Sequence, residues 1–308
     1  TLADIGLPGV SQVRQAVADA QNPTSLAFFA EASARLQQAV DEALPAQDRT
    51  TSISNANLDA STGWNVEAGT YKGGDQRLNT FGGRKCWNAW WNVSTANAAG
   101  RTLALTQDLS GLPMGFYCLT ADATTQHYCL SDQHCWMRTE TDSTASPTLT
   151  FDRMQIPGIS DEDRWQTLST LPLYVGDAGT ATAGFQSSKS GALEGAYDGD
   201  NREGWWLASK FRLWYTPGYQ RAVDSTHVWT TVCLPFAAIP SDSVKVYAVA
   251  GRSADGSQLF LTPVNALEAG KAYVCRYEGK HIAFLGGKSL VSRPVTGGLL
   301  TGVFKNGR

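Results

Sequence analysis

Arg84, Trp87, Asn88 and Trp90 fall within the stretch GGRKCWNAWWN, Gly82 to Asn92. A saccharide site needs a flat apolar ring for the axial hydrogens of a pyranose, plus planar donors and acceptors for pairs of hydroxyls. Arg84 and Asn88 supply the second requirement, and one of Trp87, Trp90 or Trp91 the first. Strand alternation would send Trp87 and Trp91 one way and Trp90 the other, so at most part of the cluster is open. Burial of all the indoles in a core is the competing reading. Trp136, further along the chain, is the remaining candidate ligand-binding residue.

Two other groupings carry possible chemistry. DGDNREG gathers Asp198, Asp200 and Glu203 with an Asn in six residues, and hard cations such as calcium favour such oxygen-rich sets. It is no EF-hand loop, because Arg202 stands where a ligand is wanted and no Glu closes the loop at the required distance. These three carboxylates are candidate calcium ligands, set against the simpler reading of a solvated turn. No other cofactor is expected. His127, Cys129, His134 and Cys135 crowd into nine residues, yet their spacing fits no common zinc motif.

Catalytic signatures are missing. The chain has no H-E-x-x-H, G-x-S-x-G, P-loop or helix-opening G-x-G-x-x-G. Asp161, Glu162 and Asp163 are adjacent, whereas glycoside hydrolysis needs two carboxyl groups facing each other across a bond. An enzyme is therefore not the expected reading.

The elements that must hold these residues read as β structure. The chain has 308 residues, 42% hydrophobic and only 17% charged, which suits several sandwich-like domains better than a helical enzyme. Net charge is -3, so long-range attraction to nucleic acid or an anionic membrane is not expected. Ten Trp and ten Tyr are unusual, and most are expected in cores. Six Cys are too few for a disulfide scaffold of this size; a bridge between Cys129 and Cys135 or free buried thiols are both open. No apolar run is long enough to cross a bilayer as a helix, and no signal peptide opens the chain. Thr1 in place of Met reads as a processed chain or a piece of a longer one, and a further strand is expected beyond LLTGVF.

Residues Pro8 to Leu44 read as two helices, the second started by Asn22-Pro23 and ended by Pro45. From Thr51 the pattern turns to short strands, with Gly73 to Asn79 and Gly82 to Lys85 reading as loop. GWWLASKFRLWY, Gly204 to Tyr215, is the strongest strand signal. Simple alternation puts Trp205, Leu207, Ser209, Phe211, Leu213 and Tyr215 on one face and Trp206, Ala208, Lys210, Arg212 and Trp214 on the other. After Pro217 five more strands are expected: Val228 to Phe236, Val244 to Gly251, Gln258 to Pro263, Ala272 to Tyr277 and His281 to Leu285. The reading is mainly β: a helical segment 1–48, an antiparallel sandwich 49–217 and a smaller all-β domain 218–308.

Three pieces of the middle region resemble a galactose-binding-like jelly-roll, the fold of many carbohydrate-binding modules. These are the opening SNANLDASTGW, the hairpin TLALTQDLSGLPMGFYCLTADA and the closing GWWLASKFRLWY. TTVCLPFAAIPSDSVKVYAVAG and LEAGKAYVCRY further resemble C-terminal regions of secreted or surface proteins of gut Bacteroidetes. The resemblance implies non-catalytic binding of a glycan or glycoconjugate by a secreted, periplasmic or cell-surface bacterial protein, with other domains of a longer chain as partners. The alternative is a structural spacer region of a larger secreted glycoside hydrolase or peptidase. One departure is plain: the closing strand of that family carries an Asp before its Phe, where this chain has Ser209 and Lys210.

Overall fold

A computed structural model describes residues 46–68, 74–91, 102–126, 130–149, 157–189, 204–223, 228–241, 243–277, 281–290, 294–295, 299–300 and 302. The expected helices over Pro8 to Leu44 lie outside these residues. Among the described residues, regular structure is strand apart from two single 3-10 turns, Thr50–Ser52 and Glu162–Arg164. The strands form three antiparallel sheets and fall into two compact units.

The first unit comprises Gln47–Pro113 and Tyr117–Tyr215. Its strands in chain order are β1 (Gln47–Asp48), β2 (Asn65–Ala68), β3 (Gly74–Phe81), β4 (Arg84–Trp91), β5 (Thr102–Leu109), β6 (Gly115–Gln126), β7 (Leu130–Arg138) and β8 (Ser143–Ala145). There follow β9 (Gln166–Ser169), β10 (Leu173–Val175), β11 (Ala181–Lys189) and β12 (Gly204–Ala222), the last continuing into the second unit. The back sheet has the order β2-β5-β11-β7-β8. In the front sheet β6 and β12 are neighbours, with β9 and β10 on β6, and β4, β3 and β1 reached from β12.

Alternation along β11 shows why the two sheets close on each other. Ala183, Phe185 and Ser187 are buried, while Thr182 and Gln186 on the opposite face are partly open. Phe185 meets the fully buried Trp206 of β12 with ring centroids 4.7 Å apart, and the Trp206 indole N–H donates to Ser187 Oγ at 2.7 Å. A tilted aromatic pair of this kind, at 45° between planes, contributes about 1 kcal/mol beyond its area burial. The same core takes in Trp64, Trp87, Leu105, Leu119, Met137 and Phe211.

β12 departs from simple alternation. Trp206 and Ala208 enter the core, and so do Phe211, Leu213 and Tyr215, but two residues separate Ala208 from Phe211. Lys210 between them has φ +46°, the left-handed conformation that marks a bulge. The bulge shifts the pattern by one. Trp205 and Leu207 accordingly belong to a separate small cluster with Cys86, Trp165 and Phe81, not to the main core. The face expected from period two is correct from Phe211 onward and reversed before it.

The stretches 74–79 and 84–85, expected as loop, are strand. β3 and β4 form a hairpin pairing Gly74 with Trp91 and Phe81 with Arg84. Its two turn residues, Gly82 and Gly83, have φ +56° and +78°, as a two-residue hairpin turn of right-handed twist demands.

The second unit comprises Met114–Phe116 and Thr216 onward. Its strands are the end of β12, then β13 (Trp229–Cys233), β14 (Phe236–Pro240), β15 (Val244–Arg252), β16 (Leu259–Val264), β17 (Ala272–Tyr277) and β18 (His281–Leu290). The first expected strand is divided at Leu234 and Pro235 into β13 and β14; the other four are present. One layer has the order β13-β17-β15-β16, and the other runs from the end of β12 through β18 to β14. Val232, Phe236, Val246, Tyr273, Cys275 and Phe284 share the core of this unit.

Candidate functional site

Within the stretch Gly82 to Asn92, Cys86, Trp87, Asn88 and Ala89 are buried, while Gly82, Gly83 and Lys85 are exposed. Trp87 is buried in the sandwich core, and its indole N–H donates to Gln76 Oε1 at 3.2 Å. Asn88 is buried, with its amide 3.4 Å from the Trp206 carbonyl oxygen. The Arg84 side chain is 8% exposed. It donates to Asp122 Oδ2 at 2.8 Å, pairs with Glu162, and stands 4.5 Å from the centroid of the Trp165 ring. Arg84 thus ties β4, β6 and the Glu162–Arg164 turn together. Trp90 pairs with Trp205 and Asp75 through the backbone; its side chain lies outside the described residues. In this arrangement the Arg84 guanidinium is held by two carboxylates, and Trp87 and Asn88 are buried with hydrogen-bond partners inside the protein.

Trp136 lies elsewhere. Along β7, Gln133, Cys135 and Met137 are buried, so His134, Trp136 and Arg138 take the outward face of the back sheet. Trp136 is the register partner of Gly184 on β11 and of Ala145 on β8, and Gly184 in turn faces Thr106 on β5. The absent side chain at Gly184 lets the indole lie on the sheet: an added Cβ would stand 2.9 Å from its Cζ2. Trp136 stays partly exposed, and the Arg138 guanidinium sits 5.1 Å from its ring centroid. The indole nitrogen is enclosed and has no hydrogen-bond partner among the described residues.

The adjacent cross-strand row is polar. Arg138 on β7 faces Thr182 on β11, which faces Asp108 on β5. The Thr182 hydroxyl donates to Asp108 Oδ1 at 2.8 Å. Asp108, Arg138, Thr182, Thr180 and Glu140 line an open cleft of about 400 Å³. Sequence reasoning passed over Arg138, Asp108, Thr182 and Glu140. The period-two pattern in QHCWMR was the one available signal, and it covers only β7.

The remaining expectations divide. Asp198, Asp200 and Glu203 lie outside the described residues. Among the described residues no group of three or more His, Cys, Asp or Glu side chains could hold a metal ion. His134 and Cys135 point to opposite faces of β7, so they cannot share an ion with each other. The Cys135 thiol is free and buried, donating weakly to the Leu119 carbonyl at 3.8 Å, which removes the bridge to Cys129. Cys86, Cys118, Cys233 and Cys275 are free as well. Glu162 serves the Arg84 pair, and Asp163 accepts from the Ser160 hydroxyl at 2.6 Å. No helix among the described residues is long and apolar enough to cross a membrane.

No family model matches the chain, and no curated protein matches its sequence. Solved structures overlap it in part. A carbohydrate-binding module, TmCBM61, in complex with β-1,4-galactotriose is 12% identical, covering 53% of this chain and 99% of that one, with a TM-score of 0.34. The family 11 carbohydrate-binding module of the cellulosomal cellulase Lic26A-Cel5E of Clostridium thermocellum is 9% identical over 56% of this chain and 95% of its own, at 0.33. A putative sugar binding protein from Bacteroides thetaiotaomicron is 12% identical over 52% and 91%, at 0.31. At these scores the likeness assigns neither a family nor a ligand to this chain.

Proposed function

We propose that the chain binds a saccharide, without catalysis, on the outward face of the back sheet, with Trp136 as the stacking platform. The observation that carries the reading is the indole lying on Gly184 beside the row Asp108, Thr182 and Arg138. An aromatic surface fixed on rigid strands, flanked by a guanidinium, a hydroxyl and carboxylates, offers the stacking face and paired donors and acceptors that a pyranose requires. The first unit is read as a galactose-binding-like jelly-roll, and the protein as a secreted, periplasmic or surface protein of a bacterium, with a glycan or glycoconjugate as partner.

The test is a glycan array on the purified chain, repeated with Trp136→Ala and Arg138→Ala. Binding to a defined glycan that falls about ten-fold or more in both variants, at unchanged melting temperature, is the expected result. No binding to any glycan, or full binding by Trp136→Ala, overturns it.

A second reading has one observation behind it: Asp108 and Glu140 line the same cleft. Two carboxyl groups across a cleft are what glycoside hydrolysis uses. Release of reducing sugar from the glycan bound on the array, abolished by Asp108→Asn, would replace binding by hydrolysis. The hydrogen bond that Thr182 already makes to Asp108 favours the binding reading.

A further inference from the structure

The outer face of the four-stranded sheet in the second unit has a composition of its own. Val244, Val246, Cys275 and Tyr277 point into the core, so Lys245, Tyr247, Val274 and Arg276 point out. Register places Trp229 on β13, Arg276 on β17 and Lys245 on β15 in one cross-strand row. Thr231, Val274, Tyr247 and Pro263 form the next row. Arg276 and Lys245 are exposed, and Trp229 is 47% exposed, an unusual state for an indole on a regular strand. The Trp229 and Tyr247 rings meet at 5.7 Å between centroids with a 45° tilt, which makes a shallow aromatic angle beside the two cations.

Neither row contains an acidic residue. Among the described residues of this unit the acidic side chains are engaged: Glu268 accepts from Lys271 at 2.9 Å, and Asp255 accepts from Ser253 and Ser257. At the other end of the face Gly302 rests on Cys233, so that end is covered while the Trp229 end is open. The chain as a whole carries a net charge of -3, so the cationic row is a local feature and not part of a general positive field.

We infer that this face is a second binding site, for a saccharide carrying carboxylate or sulfate groups. Arg276 presents a planar fork suited to either oxyanion, Lys245 adds a point charge, and the Trp229–Tyr247 pair supplies ring faces for the sugar's C–H groups. β17 and β15 are paired on both sides, so their backbone has nothing left to offer an added strand. On the face itself recognition runs through side chains, as a charged sugar ring requires, and a peptide added along the edge strand β13 is the alternative that the poly-glutamate arm below tests. The site is separate from Trp136 and stands whether or not that reading holds.

The experiment is affinity electrophoresis of the full chain at 0.15 M salt through polygalacturonate, a sulfated polysaccharide, neutral galactan and poly-glutamate. Trp229→Ala, Arg276→Gln and Trp136→Ala are run beside the unmodified chain. Retardation by at least one of the anionic polysaccharides is expected. Its affinity should fall about ten-fold in Trp229→Ala and Arg276→Gln, whose altered side chains are solvent-facing, and stay unchanged in Trp136→Ala. Three results overturn the inference: no retardation by either anionic polysaccharide, equal retardation by poly-glutamate, or undiminished binding by Trp229→Ala with its melting temperature intact.

Discussion

Trp136 and Gly184 are cross-strand partners in which one residue supplies all the surface and the other none. A methyl group on Gly184 would meet the indole on one side and the Leu105 carbonyl oxygen, at 2.8 Å, on the other. Gly184→Ala should therefore lift the indole off the sheet and strain β11 against β5, costing about 1–3 kcal/mol of stability. Saccharide binding should drop with it. Chemical denaturation followed by Trp fluorescence, with titration of the glycan from the array, checks both effects.

Arg84→Ala should destabilise strongly without touching recognition. Removing the guanidinium leaves Asp122 partly buried without its partner and strips the cation from the Trp165 ring. Breaking a largely buried pair from one side costs on the order of 3 kcal/mol, while Glu162, mostly exposed, adds little. Denaturant melts should show the loss, and glycan affinity measured on the folded fraction should match the unmodified chain.

Lys210 tests the bulge. Lys210→Gly relieves a left-handed backbone that disfavours a side chain, and should leave stability unchanged or raise it by roughly 0.5–1 kcal/mol, since the Lys210–Glu162 pair at 3.7 Å is exposed. Deleting Lys210 should abolish folding. Either Trp206 and Ala208 or Phe211, Leu213 and Tyr215 would then have to leave the core. Circular dichroism and expression yield separate the two variants.

Alkaline pH should unfold the protein earlier than its charge balance suggests. Burial pushes the thiols of Cys86 and Cys135 from 9.0 to about 11 and those of Cys118 and Cys275 to about 12. Desolvation also raises the Tyr117 phenol, whose hydroxyl donates to the Pro113 carbonyl oxygen at 2.7 Å. In each case the folded value lies above the unfolded one. The stability tied to these groups is complete below pH 9 and is lost as pH rises through 11 to 12, because the unfolded chain releases its protons first. Melting temperature followed from pH 7 to pH 11 should fall above pH 9, and less steeply in Cys135→Ala once its lower starting stability is subtracted.

Much of the architecture was legible because period-two patterning survives in single strands: β12, β15, β16, β17 and β18 could each be read from their own residues. The faces of β12 could not. A bulge depends on one backbone angle at Lys210, and nothing in the residue types Ser209-Lys210 announces it. The site was half legible for a similar reason. Trp136 is a conspicuous residue, but Asp108, Arg138 and Thr182 come from β5, β7 and β11, and only strand order brings them into one row. The burial of Trp87 and Asn88 and the pairing of Arg84 were not legible, because clustering in sequence says nothing about what covers a strand. Trp165, Phe81 and the Glu162–Arg164 turn arrive from other segments to enclose that one.

The free thiols have a consequence for how the protein is made. Cys86, Cys135 and Cys275 have no accessible surface once the sandwiches close, so oxidants cannot reach them in the native state. During synthesis or export the same sulfurs are open to mispairing. A chain of this kind must finish folding before it meets an oxidising medium, and heat-unfolded samples should recover in reductant but scramble in air.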